Sequence, residues 1–276
     1  MNYKFSDDTL FHSVGFNPMK FEGILRNGLV SDYYAKEHNI SFSKNFNFTV
    51  DSLKDSISDI VNDKLTENNL RNISLVRNLY VSDDELSAYN LYIKNGISFV
   101  IEDVDFIYDK SKEFLKRSDE VVVKDHIPND KIKYIMIPSI YKDKMLCDVD
   151  MIPSNMLNYD LIKNNVINLI NYLKEYNYIV DTDEISLLLK DLKVAGTSVN
   201  SLNKDSIDYQ EALNDYKDII KDINELLSFS VFECFSKMLG KYASVYDMVE
   251  FINNKYSNKD IIIMDSKEKK RWSKKN

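Results

Sequence analysis

Residues 10–31 read LFHSVGFNPMKFEGILRNGLVS, and the fold turns on how that stretch divides. Its first five residues, Leu10 to Val14, form an apolar run interrupted by His12 and Ser13, long enough for a strand. Asn17 followed by Pro18 reads as an N-cap and first helical position, where the missing proline N–H costs nothing and φ is already helical. Phe21, Ile24 and Leu25 then share one helical face, and Asn27-Gly28 closes the helix in a left-handed cap. The product is a strand feeding a helix of barely three turns, with a histidine on the strand and Gly28-Leu29 behind the helix. A histidine so placed either fills a core or holds a ligand.

Outward from this unit, the pattern changes near residue 154. All four prolines and all three histidines precede it, as do four of the six glycines. On this side, Val50, Leu53, Ile57, Ile60, Val61 and Leu65 lie on one helical stripe. A further helix is predicted from the capping box at Ser82 and Glu85 to Asn95-Gly96. Short β-type runs occur at 39–43, 73–76, 97–101, 120–124 and 132–137, rich in β-branched and aromatic residues. Beyond 154 the spacing predicts helices near 155–176, 182–192, 204–239 and 244–255, and a late strand within 258–264. The expected fold class is α+β. A mixed domain would span 1–153, a predominantly helical region for packing or partner binding 154–265, and a basic tail 266–276.

Composition bounds the function. The 276 residues carry a net charge of −8, yet the tail SKEKKRWSKKN holds six Lys/Arg against one Glu, so residues 1–265 carry −13. An acidic body disfavours broad contact with a phosphate backbone. The tail is either a solvated terminus or a small electrostatic tether for an acidic partner, with Trp272 available for stacking. No apolar run approaches the roughly 20 residues of a spanning helix, and the N-terminus lacks the pattern of a secretory signal. Two well-separated cysteines and three histidines give no zinc-ligand spacing. The expectation is a cytoplasmic protein with no membrane contact and no metal.

Several chemistries lack their motif: there is no glycine-rich phosphate loop, no G-x-S-x-G elbow and no H-E-x-x-H. What remains is an ordered set. Phe11-His12-Ser13 precedes the helix ending Ile24-Leu-Arg-Asn-Gly-Leu29; Ile40-Ser41-Phe42-Ser43 follows; Arg117-Ser118-Asp119-Glu120-Val-Val-Val123 then runs through Asp125-His126-Ile127-Pro128 into 132–137.

This order resembles the ADP-ribosyltransferase superfamily over residues 9–138. In that family a first strand carries His or Arg, a helix ends in I-L-x-x-G-L, a second strand carries a serine or aromatic motif, and a later strand opens with the catalytic glutamate. The resemblance implies an NAD-dependent mono-ADP-ribosyltransferase with NAD as co-substrate and a protein or nucleic-acid acceptor. Glu120 would be the catalytic carboxylate, and His12, assisted by Ser13, would bind the adenosine ribose. Ser41 and Ser43 would brace the glutamate and the nicotinamide ribose. Phe42, Tyr33, Tyr34 or Phe46 would supply an aromatic stack. A rival alignment takes the second motif from Ile73-Ser-Leu-Val-Arg-Asn78, with Arg77 on the NAD pyrophosphate. Transferases that modify arginine often carry Gln or Glu two residues before the glutamate; here Ser118 stands there, leaving the acceptor unassigned.

The resemblance implies a shared physical logic. Nicotinamide leaves through a transition state with positive charge on the ribose, and a carboxylate fixed beside that ring stabilises it. The other reading of the same residues is a non-catalytic interaction or structural protein that retains the transferase fold.

Overall fold

The computed structural model describes residues 9–38, 71–76, 97–108, 120–142, 152 and 157–264. The chain divides into two compact units. Among the described residues, one gathers 9–38, 71–76, 97–108, 120–142 and 244–264, and the other holds 152 and 157–243. The predicted helices at 50–65 and 82–95 and the run at 39–43 lie outside the described residues.

In the first unit, β1 (Leu10–Val14) leads to α1 (Pro18–Asn27), β2 (Leu29–Val30) and α2 (Asp32–Glu37). There follow β3 (Asn72–Val76), β4 (Ile97–Ile101), β5 (Ile107–Tyr108), β6 (Glu120–Lys124), β7 (His126–Ile127) and β8 (Ile132–Pro138). Asn17 caps α1 as its sequence suggests: its side chain accepts from Lys20 N at 3.1 Å. Among the described residues the main sheet runs β5-β6-β3-β1-β4-β8-β9, where β9 is Asp260–Met264. All neighbours are antiparallel except β8 and β9. β2 and β7 form a separate antiparallel pair.

Both faces of the main sheet carry buried apolar side chains. On one, Leu10, Val14, Phe99, Val121 and Ile135 are buried; α1 covers this face, stacking Phe21 on Phe99 at 5.7 Å. On the other, Phe11, Val100, Val122 and Met136 are buried as well. Two buried faces account for near-continuous apolar strands such as ISFVI and EVVVK, where a half-exposed sheet would alternate.

The expected boundary at 153/154 gives way to a different division. α6 (Val245–Tyr256) packs against α1, and β9 adds a parallel edge to β8, so the last described stretch belongs with the sheet. Parallel neighbours need a long crossover, and the helices of the second unit lie within it. Buried Asn253 fixes the turn into β9, donating to Lys259 O at 2.7 Å and accepting from Lys259 N at 2.9 Å.

The second unit contains α3 (Tyr159–Glu175), α4 (Asp183–Ser201) and α5 (Ile207–Leu239). Asn158 and Ser206 cap α3 and α5, accepting from Leu161 N and Tyr209 N. Helix α4 runs nine residues past its predicted end at 192. Gly196, Thr197 and Ser198 are weak helix formers, but packing overrides them. A Cβ on Gly196 would meet the Tyr216 ring at 3.1 Å, so glycine lets α4 and α5 approach there. The mixed α+β character holds, and among the described residues the long helices fall in the later half of the chain.

Candidate functional site

Strand β1 is central, between β3 and β4, and its alternation sends His12 and Ser13 to opposite faces. His12 pairs with Phe99 and shares the α1-covered face with Leu10 and Val14; it is half-buried. Ser13 pairs with Ser98 on the other face, their hydroxyl oxygens 2.5 Å apart.

Glu120 is the first residue of β6, as expected. Its backbone pairs with Val76, and Val76 pairs with Phe11. Paired residues share a face, so position 120 belongs to the face of Phe11 and Ser13, and His12 to the other. Position 74 pairs with Val122 and falls on the same face as 120. Two strand spacings, about 10 Å, separate position 120 from Phe11.

The fold thus brings together on one face the positions of Ser13, Ser74, Ser98 and Glu120. The same register places His12 on the opposite face. The physical reason is the period of two: one residue along a strand exchanges faces. Ser41, Phe42, Ser43, Phe46 and Arg77 lie outside the described residues. Of the two alignments for the second motif, residues 73–76 form β3, the strand between β1 and β6.

A second constellation, at the β6–β7 corner, was not drawn from the sequence. Asp125 adopts φ 61°, an uncommon left-handed conformation for a residue with a side chain. Its N–H donates to Arg71 O at 2.5 Å, and its carbonyl accepts from Ser31 N at 2.7 Å. Its Oδ1 is buried with no hydrogen-bond partner among the described residues. His126 lies in β7 and joins its Nε2 to Asn27 O at 2.9 Å. A carbonyl only accepts, so Nε2 carries the proton. Asn129 Nδ2 donates to Leu25 O at 2.5 Å. Two carbonyls that α1 leaves over at its C-terminus are thereby satisfied by side chains.

Tyr34 stacks with both His126, at 4.8 Å, and His38, at 4.1 Å. As a candidate for stacking on nicotinamide, its ring is therefore already engaged by two imidazoles. The sequence signal for this cluster was the Asp125-His126-Ile127-Pro128 string, but the partners stand some 90 residues upstream.

In the second unit, α5 carries Asp208, Glu211, Asp215, Asp218, Asp222 and Glu225 at alternating spacings of three and four. They form one acidic stripe, every member exposed. Lys221 reaches Glu225 at 4.0 Å. Elsewhere Tyr178 donates to Glu233 while Lys237 lies over its ring at 4.8 Å. Burial, then that hydrogen bond, raises the phenol pKa. Cys234 is buried, and burial pushes its thiol up to about 11 against the opposing charge of Lys237.

Among the described residues no group of three or more His, Cys, Asp or Glu could hold a metal ion. No described helix is long and apolar enough to cross a membrane. Comparison with family models, with curated proteins and with solved structures finds no match to this chain.

Proposed function

We propose that the sheet-bearing unit is an NAD-dependent mono-ADP-ribosyltransferase in which Glu120 carries the chemistry. The observation that supports this reading is the juxtaposition across β3. Residues far apart in sequence, Phe11-His12-Ser13 and Glu120, lie on strands flanking one neighbour, with positions 13, 74, 98 and 120 in register on a common face.

In the proposed reaction the bond from ribose C1′ to the nicotinamide nitrogen breaks, and its electron pair leaves with nicotinamide. The ribose ring becomes cationic, and the Glu120 carboxylate stabilises that charge more than it stabilises bound NAD. A nucleophile on a protein or nucleic-acid acceptor attacks C1′, forming the new glycosidic bond, and releases its proton to solvent. Ser13 takes the contact with NAD on this face. His12, across the sheet, keeps the fold and does not touch the reacting ribose.

Incubation with labelled NAD and lysate, wild type beside Glu120→Gln, tests the reading. The expected loss of labelling is at least about a hundredfold. Equal labelling by the two proteins removes Glu120 from the mechanism.

The register that parts His12 from position 120 favours a second reading: an interaction protein that retains the transferase fold without its activity. Thermal melting against NAD separates the two. A ligand at 100 times its Kd adds about 2.7 kcal/mol of apparent stability. A melt unmoved by millimolar NAD supports the non-catalytic protein.

A further inference from the structure

Strand β4 is buried along its whole length, Ile97 to Ile101, and Ser98 is its one polar side chain, 1 % exposed. The Ser98 hydroxyl lies 2.5 Å from that of half-buried Ser13, and either oxygen could be the donor. Proton counting decides between the two arrangements. If Ser13 donated, the Ser98 proton would have no acceptor side chain among the described residues, at the cost of an unsatisfied buried donor. If Ser98 donates, the Ser13 oxygen accepts, and the Ser13 proton is free to turn away from Ser98 on a half-buried side chain. The second arrangement leaves no buried donor unpaired. A chain of two hydroxyls also polarises its outer member, which strengthens the bond that member gives.

We propose that Ser98 is a positioning residue: it locks Ser13 as an outward hydrogen-bond donor to an acceptor oxygen, ribose or phosphate, of bound NAD. The inference deepens the transferase reading and rests on it. Ser98 itself touches no ligand. An ordinary cross-strand serine pair would stabilise the sheet but would not hold one donor direction.

The test has two arms, both on the full chain. The first measures thermal midpoints of Ser13→Ala and Ser98→Ala. Removing Ser13 strands the buried Ser98 proton, whereas removing Ser98 leaves Ser13 in reach of water. The expected midpoint is therefore lower for Ser13→Ala. A loss as large or larger for Ser98→Ala overturns the donor direction.

The second arm measures Kd for NAD by calorimetry in wild type, Ser98→Ala and Ser98→Thr. Ser98→Ala is expected to weaken binding by about three- to tenfold, the effect of one misdirected hydrogen bond. Ser98→Thr, which keeps the hydroxyl, is expected to restore it. Wild type that binds NAD with unchanged affinity in Ser98→Ala overturns this inference alone. Wild type that does not bind millimolar NAD overturns the transferase reading and this inference with it.

Discussion

Gly28 passes so close to Ile127 that a Cβ on it would overlap the Ile127 carbonyl oxygen. Its φ of +80° is also one that side-chain-bearing residues rarely adopt. The approach seats the end of α1 against β7, next to the strand that Glu120 opens. Gly28→Ala is expected to destabilise the sheet unit by about 2 kcal/mol or more, from backbone strain and overlap together. Urea unfolding followed by circular dichroism measures it. A loss under about 0.5 kcal/mol would show that this close approach is not a constraint.

His126, next to Ile127, holds the end of α1 through Asn27 O and stacks on the Tyr34 ring. His126→Ala is expected to cost about 1–2 kcal/mol, the sum of a hydrogen bond to a helix-end carbonyl and a stacked contact. His126→Gln keeps a donor and loses the ring, so it should fall between the two. Equal stability of all three proteins in chemical denaturation would rule the clamp out.

Asn165 is 3 % exposed, and neither its Oδ1 nor its Nδ2 has a hydrogen-bond partner among the described residues. Replacing an unpartnered buried amide by an apolar group of similar shape is close to neutral or stabilising. Asn165→Leu is therefore expected to keep or raise the thermal midpoint. A loss of several degrees would mean that the amide serves a partner within the core.

The acidic stripe of α5 sets like charges at successive helical neighbours, which destabilises the helix by small repulsions. Asp218→Lys places a cation between Asp215 and Asp222 and is expected to raise the thermal midpoint by about a degree or two at low salt. Most of that gain should vanish at 1 M salt, where screening acts within about 3 Å. A gain independent of salt would assign the effect to something other than charge.

Cys234 is held protonated by burial, with its pKa raised from 9.0 to about 11. Its contribution to stability is full below pH about 9 and is lost as pH rises toward 11, since the unfolded thiol ionises first. At pH 8 its thiolate fraction is about a hundredfold below that of an ordinary thiol of pKa 9. In a Cys147→Ser background, iodoacetamide should alkylate the folded protein far more slowly than the urea-unfolded one. Equal rates would contradict the burial.

The helix of 18–27 was legible because its signals are local: an Asn-Pro start, an apolar face and an Asn-Gly end lie within twelve residues, 17–28. The strands at 97–101, 120–124 and 132–138 were legible for a similar reason, since β-branched runs bounded by turn residues need no partner to be noticed. The split of His12 from position 120 was not legible. It depends on β3 lying between β1 and β6 and on Phe11, not His12, facing Val76, a register that no spacing within β1 reveals. The His126–Asn27 clamp was hidden likewise, because a histidine beside a turn gives no sign of a helix end 99 residues away.

By itself the sequence marked the helix at 18–27, the strands at 97–101 and 120–124 and the helices beyond 154, because periodicity and capping act within a few residues. Only the tertiary structure decided which of these positions share a face, and that Asp260–Met264 adds a parallel edge strand beside β8. Strand order and register are set by burial of surfaces far apart in the chain, and a shift of one residue exchanges every side chain between the two faces.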